Sequence, residues 1–145
     1  MSAIEAAAEE KFVRRITAHL LEEYPTAAVK LPDMETTVAG LPEETLQSLV
    51  RSSVERARSY SLDQESSIAA FSTLMFEVAP NFDKHNLSQV LLNDESVEPN
   101  VRLDELLEVL TEKNWETVRK TYDPEAWFEQ PEESEPEEET PDKEK

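Results

Sequence analysis

The chain has 145 residues, of which 33 are acidic and 14 basic, so its formal net charge is −19, and it contains no cysteine. This charge repels nucleic-acid phosphates and anionic membrane surfaces, and the lack of cysteine excludes disulfides and thiolate metal sites. The chain has one glycine, which argues against tight hairpins, Walker loops and dinucleotide-binding fingerprints, because all three depend on glycine.

Hydrophobic periodicity predicts an all-α fold, a single bundle of five to six helices formed by residues 1–128. Ser2 and Glu5 match a capping box at the start of a first helix that runs to about Glu23. Its predicted buried stripe comprises Ile4, Ala8, Phe12, Ile16 and Leu20. Residues 24–41 contain two prolines and the single glycine, so we expect a connection there, with a short helical turn near Asp33–Val38.

Two helices are predicted in the middle of the chain, over about Pro42–Tyr60 and Asp63–Ala79. Pro42 suits a first helical position, and the two glutamates after it favour the positive end of the helix dipole. The third helix has the densest apolar stripe, which includes Phe71, and we expect it at the centre of the bundle. Its N-terminal cap is expected from Ser61 with Gln64, or from Asp63 with Ser66.

Shorter helical segments are predicted in the last third of the body. Asn86 is expected to cap a short helix, and Thr111 or Asn114 is expected to begin the final one. Between them, a helix starts near Pro99, and its predicted buried side consists of Leu103, Leu106, Leu107 and Leu110. Asp123–Pro124 then opens one more turn, which is expected to dock Trp127 and Phe128.

Residues 129–145 form an acidic segment whose composition differs from that of the body. Residues 131–145 contain eight Asp or Glu, three Pro and no apolar residue. Such a segment buries too little apolar surface to offset the entropy of ordering it, so we predict a disordered tail. Without residues 131–145 the chain still carries 25 acidic against 12 basic residues, which indicates a protein partner with a basic surface.

The residue types common in active sites form no catalytic or metal-binding pattern. His19 and His85 are the two histidines, and neither belongs to a His-Glu-x-x-His or Glu-x-x-His motif. We interpret His19 as a partly buried structural residue and keep a general-base role for His85, beside Asp83, as a minor alternative. We therefore expect no enzyme activity, no cofactor and no metal.

Four aromatic residues lie near the end of the body: Trp115, Tyr122, Trp127 and Phe128. A lid over the bundle core is the structural interpretation of this cluster. The functional interpretation is a partner-binding patch, because aromatic side chains anchor many protein interfaces. We take the four residues as candidate partner-binding residues.

A pattern between Glu55 and Leu92 resembles an uncharacterised family of small helical bacterial proteins. It consists of Glu55–Arg56, Tyr60–Ser61–Leu62, Glu65, Leu74–Met75–Phe76 and Phe82–Asp83. Ser61 stands where the family pattern has glycine, Pro80–Asn81 replace a glycine-containing turn, and residues 86–92 lack a tryptophan. The family is associated with type VI secretion genes for PAAR-tip, VgrG and Rhs effector proteins. The resemblance implies an adaptor, chaperone or immunity factor for a secreted effector.

These observations favour a non-enzymatic protein-binding accessory factor. The alternative is an acidic nucleic-acid mimic, whose carboxylates imitate phosphates and occupy a DNA-binding protein. No apolar run approaches the roughly 18 residues of a membrane span, and the N-terminus is acidic where a signal peptide is basic. We therefore expect a cytoplasmic protein that contacts neither membranes nor nucleic acid directly.

Overall fold

The computed structural model describes residues 2–129, which contain six α-helices and one β-hairpin. The helices are α1 (Ala3–Glu23), α2 (Glu43–Ser59), α3 (Glu65–Glu77), α4 (Asn86–Leu92), α5 (Pro99–Val109) and α6 (Glu112–Lys120), with short 3₁₀ helices at Phe82–Lys84 and Pro124–Phe128. The prediction of a helical fold is confirmed. The predicted tail at 129–145 lies, apart from Glu129, outside the described residues. Within 2–129, no helix is both long and apolar enough to cross a bilayer.

Two helices begin with capping boxes, and the sequence predicts the one formed by Ser2 and Glu5. The Ser2 hydroxyl accepts from the Glu5 amide at 3.1 Å, and the Glu5 carboxylate accepts from the Ser2 amide at 2.9 Å. At the start of α6, the side chains of Thr111 and Asn114 make the same reciprocal pair of bonds. In both cases the bonds join residues three positions apart, so the neighbouring sequence is sufficient to specify the helix start.

The cap of α3 comes from another helix. Gln64 is the N-cap residue, but its side chain makes no capping bond. Instead, Oδ1 of Asn100 on α5 accepts from the amides of Asp63 and Gln64 at 3.3 and 3.2 Å. The cap predicted from Ser61 or Asp63 is therefore wrong, and the buried Asn100 side chain ties α5 to the start of α3.

A β-hairpin occupies the segment where we predicted a connection with a helical turn. Strands β1 (Ala28–Leu31) and β2 (Met34–Thr37) pair antiparallel, with Leu31 opposite Met34. The two-residue loop between them, Pro32–Asp33, has no positive φ, so this hairpin does not need glycine. The predicted helical turn near Asp33–Val38 is wrong, because residues 34–37 pair with residues 28–31 as a strand. The hairpin buries Val29 completely.

The core is centred on α2 and α3, as expected from the apolar stripe of α3. Phe71 is fully buried, and its ring lies 5.6 Å from that of Tyr60 and 4.9 Å from that of Phe82. Three predicted core positions are wrong. Ile4 is 82% exposed and Ala8 is exposed as well, because the first two turns of α1 extend past the packed part of the bundle, and Leu107 is 43% exposed at the edge of α5.

Candidate functional site

A buried polar network joins residues of the pattern between Glu55 and Leu92. The Arg56 guanidinium lies 3.4 Å from the Asp83 carboxylate, and these side chains are 6% and 0% exposed. Arg56 also donates to the carbonyls of Pro80 and Ala126. The Tyr60 hydroxyl donates to the second Asp83 oxygen at 2.8 Å. One side chain of α2 therefore binds the turn after α3 and the C-terminal 3₁₀ helix.

Arg56 and Asp83 at the centre of this network are buried, and the network is structural. Gln89 on α4 completes it by donating to the Tyr60 hydroxyl at 3.1 Å and to the Asp83 carbonyl at 2.7 Å. Burial, reinforced by the charge of Asp83, raises the pKa of Tyr60 well above its ordinary value, so the hydroxyl remains a donor. Because Asp83 is buried and engaged by Arg56 and Tyr60, its carboxylate is not available to orient His85 as a base.

The two histidines lie apart and have different surroundings. Nδ1 of His85 accepts from the Leu87 amide at 3.3 Å and caps α4, the role that we predicted for Asn86. His19 is exposed on α1 and not partly buried as expected; its ring meets Tyr24 edge-on with the centroids 6.0 Å apart. Among residues 2–129, no group of three or more His, Asp or Glu is placed to hold a metal ion.

Three of the four candidate aromatic residues belong to the core or its border. Trp127 is fully buried, with its ring 4.7 Å from that of Phe76, and Trp115 is half-buried. The indole of Trp127 donates to the Lys30 carbonyl at 3.2 Å, and the half-buried Tyr122 hydroxyl accepts from the Lys30 amide at 3.0 Å. Trp127 cannot contact a partner directly, and with Tyr122 it closes the edge of β1.

Phe128 differs from its neighbour, because its ring is 57% exposed. It forms one wall of an open groove of about 340 Å³. The floor includes Leu49, which is 3% exposed. The groove lies between the C-terminal 3₁₀ helix, the end of β1 and the first turns of α2, and it is lined by Leu31, Glu44, Thr45, Ser48, Leu49 and Phe128. Phe128 therefore remains a candidate partner-binding residue.

The exposure of Phe128 is a property of a firmly held segment. The Asn81 side chain donates to the Thr121 carbonyl at 2.9 Å and accepts from the Asp123 amide at 3.1 Å. Asp123 caps the C-terminal 3₁₀ helix, and Arg56 binds the carbonyl of Ala126. With Trp127 buried between these anchors, the next side chain is directed away from the core.

The charge of the body is distributed unevenly. On the side of α1, three acids are paired with arginines: Glu10 with Arg51 at 2.8 Å, Glu9 with Arg58 at 2.9 Å and Glu65 with Arg15 at 3.2 Å.

The outward face of α5 has no such pairing. None of the ion pairs within residues 2–129 involves Asp104, Glu105 or Glu108. Val101 before these acids and Val109 after them are 44% and 48% exposed. The residues from 94 to 116 include eight acids and two basic residues. Unpaired negative charge therefore lies beside exposed apolar side chains on this face.

Comparison with protein-family models, curated proteins and solved structures finds no match to this chain. The relation to type VI secretion therefore stays a prediction. The sequence analysis identified Phe128 but missed Leu31, Glu44 and Leu49 as its groove partners. They lie about 80 to 100 positions away along the chain, and no local signal joins them to Phe128.

Proposed function

We propose that this protein is a non-enzymatic protein-binding factor whose partner presents a basic surface. The observation that carries the proposal is the α5 face, where Asp104, Glu105 and Glu108, none of them in an ion pair, share a helix with two exposed valines. Carboxylates steer a basic partner towards this face from a distance, and the apolar side chains contribute short-range contact. The acids on the side of α1 attract a partner less, because arginines already neutralise them.

The partner that we propose is a secreted bacterial effector, with the protein acting in the cytoplasm. An adaptor or chaperone holds the effector before export, whereas an immunity factor blocks its harmful activity. This part of the proposal comes from the resemblance between Glu55 and Leu92. Arg56, Tyr60 and Asp83 of this pattern meet in one network, which supports a structural role for the pattern.

An acidic nucleic-acid mimic is the second candidate function. The exposed acids of α5 favour it, because a mimic needs carboxylates that are ordered and not neutralised by arginine. The valines between those acids favour a protein-specific surface instead, since phosphate mimicry does not require apolar groups. Truncation after Gln130 separates the two functions. A mimic built on the body keeps its activity, whereas an effector-binding protein that uses its acidic C-terminal residues associates more slowly.

Affinity capture from the native cell, with mass spectrometry, identifies the partner for a quantitative test. The association rate with the purified partner should fall steeply between low and physiological salt, where the Debye length shrinks to about 8 Å. Neutralising Asp104, Glu105 and Glu108 together, as Asn, Gln and Gln, should slow association at low salt.

The matched control removes the same number of charges from the side of α1, by replacing Glu9, Glu10 and Glu65 with Gln. It should slow association less than the α5 variant does. An association rate that does not depend on salt contradicts the proposed function. Equal effects of the two triple variants contradict the assignment of the α5 face.

A further inference from the structure

We propose that the groove beside Phe128 binds a basic segment of the partner, which inserts one large aliphatic or aromatic side chain between Phe128 and Leu49. Lysine or arginine residues on either side of that anchor lie over Glu43 and Glu44 in the first turn of α2. This inference rests on the proposed function and specifies the partner's chemistry at a second surface, distinct from the α5 face.

The groove has room for a large side chain, and part of its wall is apolar. Its volume of about 340 Å³ is near the lower end of pockets that hold small ligands, which begin at about 300 Å³. The buried Leu49 and the half-buried Leu31 supply apolar surface, and the exposed Phe128 ring forms one wall. The bonds that anchor residues 121–127 hold this ring in place before binding, which reduces the entropy lost on association.

The negative charge around the groove favours a partner segment with basic residues on either side of its apolar anchor. Glu44 is the one charged residue among those that line it. Glu43 precedes it in the first turn of α2, whereas Glu129, directly after Phe128, is paired with Lys84 at 3.9 Å. The chain then continues for sixteen residues, 130–145, most of whose charges are negative. Their composition adds to the negative charge of the chain, which attracts a basic partner segment.

Two other occupants fit the groove poorly. Residues 131–145 contain no apolar residue, so they cannot fill it with a side chain of their own. A second copy of the chain would bring the same acidic face against itself, and the like charges would repel. A basic partner segment with an apolar anchor matches both the apolar wall of the groove and the negative charge around it.

The test uses the full chain, isotopically labelled, and a short peptide of lysine and arginine with one central leucine. A control peptide has serine in place of the leucine. In a low-salt nuclear magnetic resonance titration, the leucine peptide should shift the signals of Leu31, Leu49 and Phe128. It should bind about tenfold more tightly than the serine peptide, which corresponds to about 1.4 kcal/mol.

Phe128→Ala should abolish this preference for leucine, and Ser48→Trp should do the same by filling the groove from its opposite wall. Phe128→Leu should keep most of the preference for the leucine peptide. Val90→Ala, at an apolar side chain 66% exposed on α4, serves as the surface control and should change nothing. Circular dichroism checks that each variant is folded.

Equal affinity of the parent for both peptides overturns the groove assignment but leaves the charge-based function in place. Signal changes confined to α5 and residues 130–145 would also overturn the groove assignment and leave the charge-based function in place. If neither peptide binds at low salt, the proposed attraction for a basic partner fails as well.

Discussion

Replacing Arg56 with Met tests how the buried network holds the C-terminal segment against the bundle. Methionine keeps a long, unbranched side chain but removes the guanidinium, which binds Asp83 and the carbonyls of Pro80 and Ala126. The Asp83 carboxylate, which is fully buried, then keeps only the hydrogen bond from Tyr60. We expect Arg56→Met to be strongly destabilising.

The magnitude follows from the burial of the pair. Removing one partner of a buried ion pair costs about 3–5 kcal/mol, because the remaining charge is uncompensated. A domain of this size has a total stability of about 5–15 kcal/mol, so the loss is a large fraction of it. Adding Asp83→Asn to Arg56→Met should recover part of the loss, because the amide removes the uncompensated charge.

Urea unfolding followed by circular dichroism measures the change in the free energy of unfolding. Tryptophan fluorescence gives a second readout. Arg56 binds the carbonyl of Ala126, so its loss should loosen the buried Trp127 and shift the emission to the red. Arg58→Met is the matched control on the same helix. Arg58 is 42% exposed and pairs with Glu9, and loss of such a surface pair should cost at most about 1 kcal/mol.

Two results would refute this reasoning. If Arg56→Met costs no more than Arg58→Met, the buried pair makes no special contribution to stability. If adding Asp83→Asn to Arg56→Met lowers stability further by its full single-variant cost, the two side chains are not coupled, although they lie in contact.

Three further predictions concern single positions. Ser61 has φ of 69° at the C-terminal end of α2, so Ser61→Gly should raise the free energy of unfolding in urea by up to about 1 kcal/mol. The control Ser52→Gly, within α2, should lower it by about 0.5 kcal/mol. A destabilising effect of Ser61→Gly contradicts the left-handed conformation of this residue. Phe71→Ala should cost about 3–5 kcal/mol, because the ring is fully buried, and unchanged thermal unfolding would mean that Phe71 is outside the core. The hydrogen bond from Arg51 lowers the pKa of Glu10 below 4.5, so the pair's contribution is present above that pH and is lost as the pH falls through the lowered pKa. Glu10→Gln should therefore destabilise the protein at neutral pH, with a difference that shrinks in acid unfolding; a difference that does not depend on pH argues against the pair.

The sequence by itself determined the approximate positions of the helices, because most of the signals that specify them are local, although the start of α3 is bonded by Asn100 of α5. The capping box of Ser2 and Glu5 and the apolar spacing after it predicted α1 through Glu23, and the structure has α1 at Ala3–Glu23. Pro99 likewise begins α5 as predicted. Capping bonds and apolar stripes involve residues within a few positions of one another, so they are visible before the chain is folded.

Only the tertiary structure decided which side chains face inwards at the ends of these elements. Trp127 and Phe128 are adjacent and aromatic, so no local signal distinguishes them. Trp127 is held inside by the hydrogen bond from its indole to Lys30, 97 positions earlier in the chain. The carbonyl of the preceding residue, Ala126, accepts a hydrogen bond from Arg56, which lies 70 positions before it. The same packing buries Val29 as part of a hairpin. The exposed ring of Phe128 and the groove beside it therefore follow from long-range contacts, which periodicity along the chain does not encode.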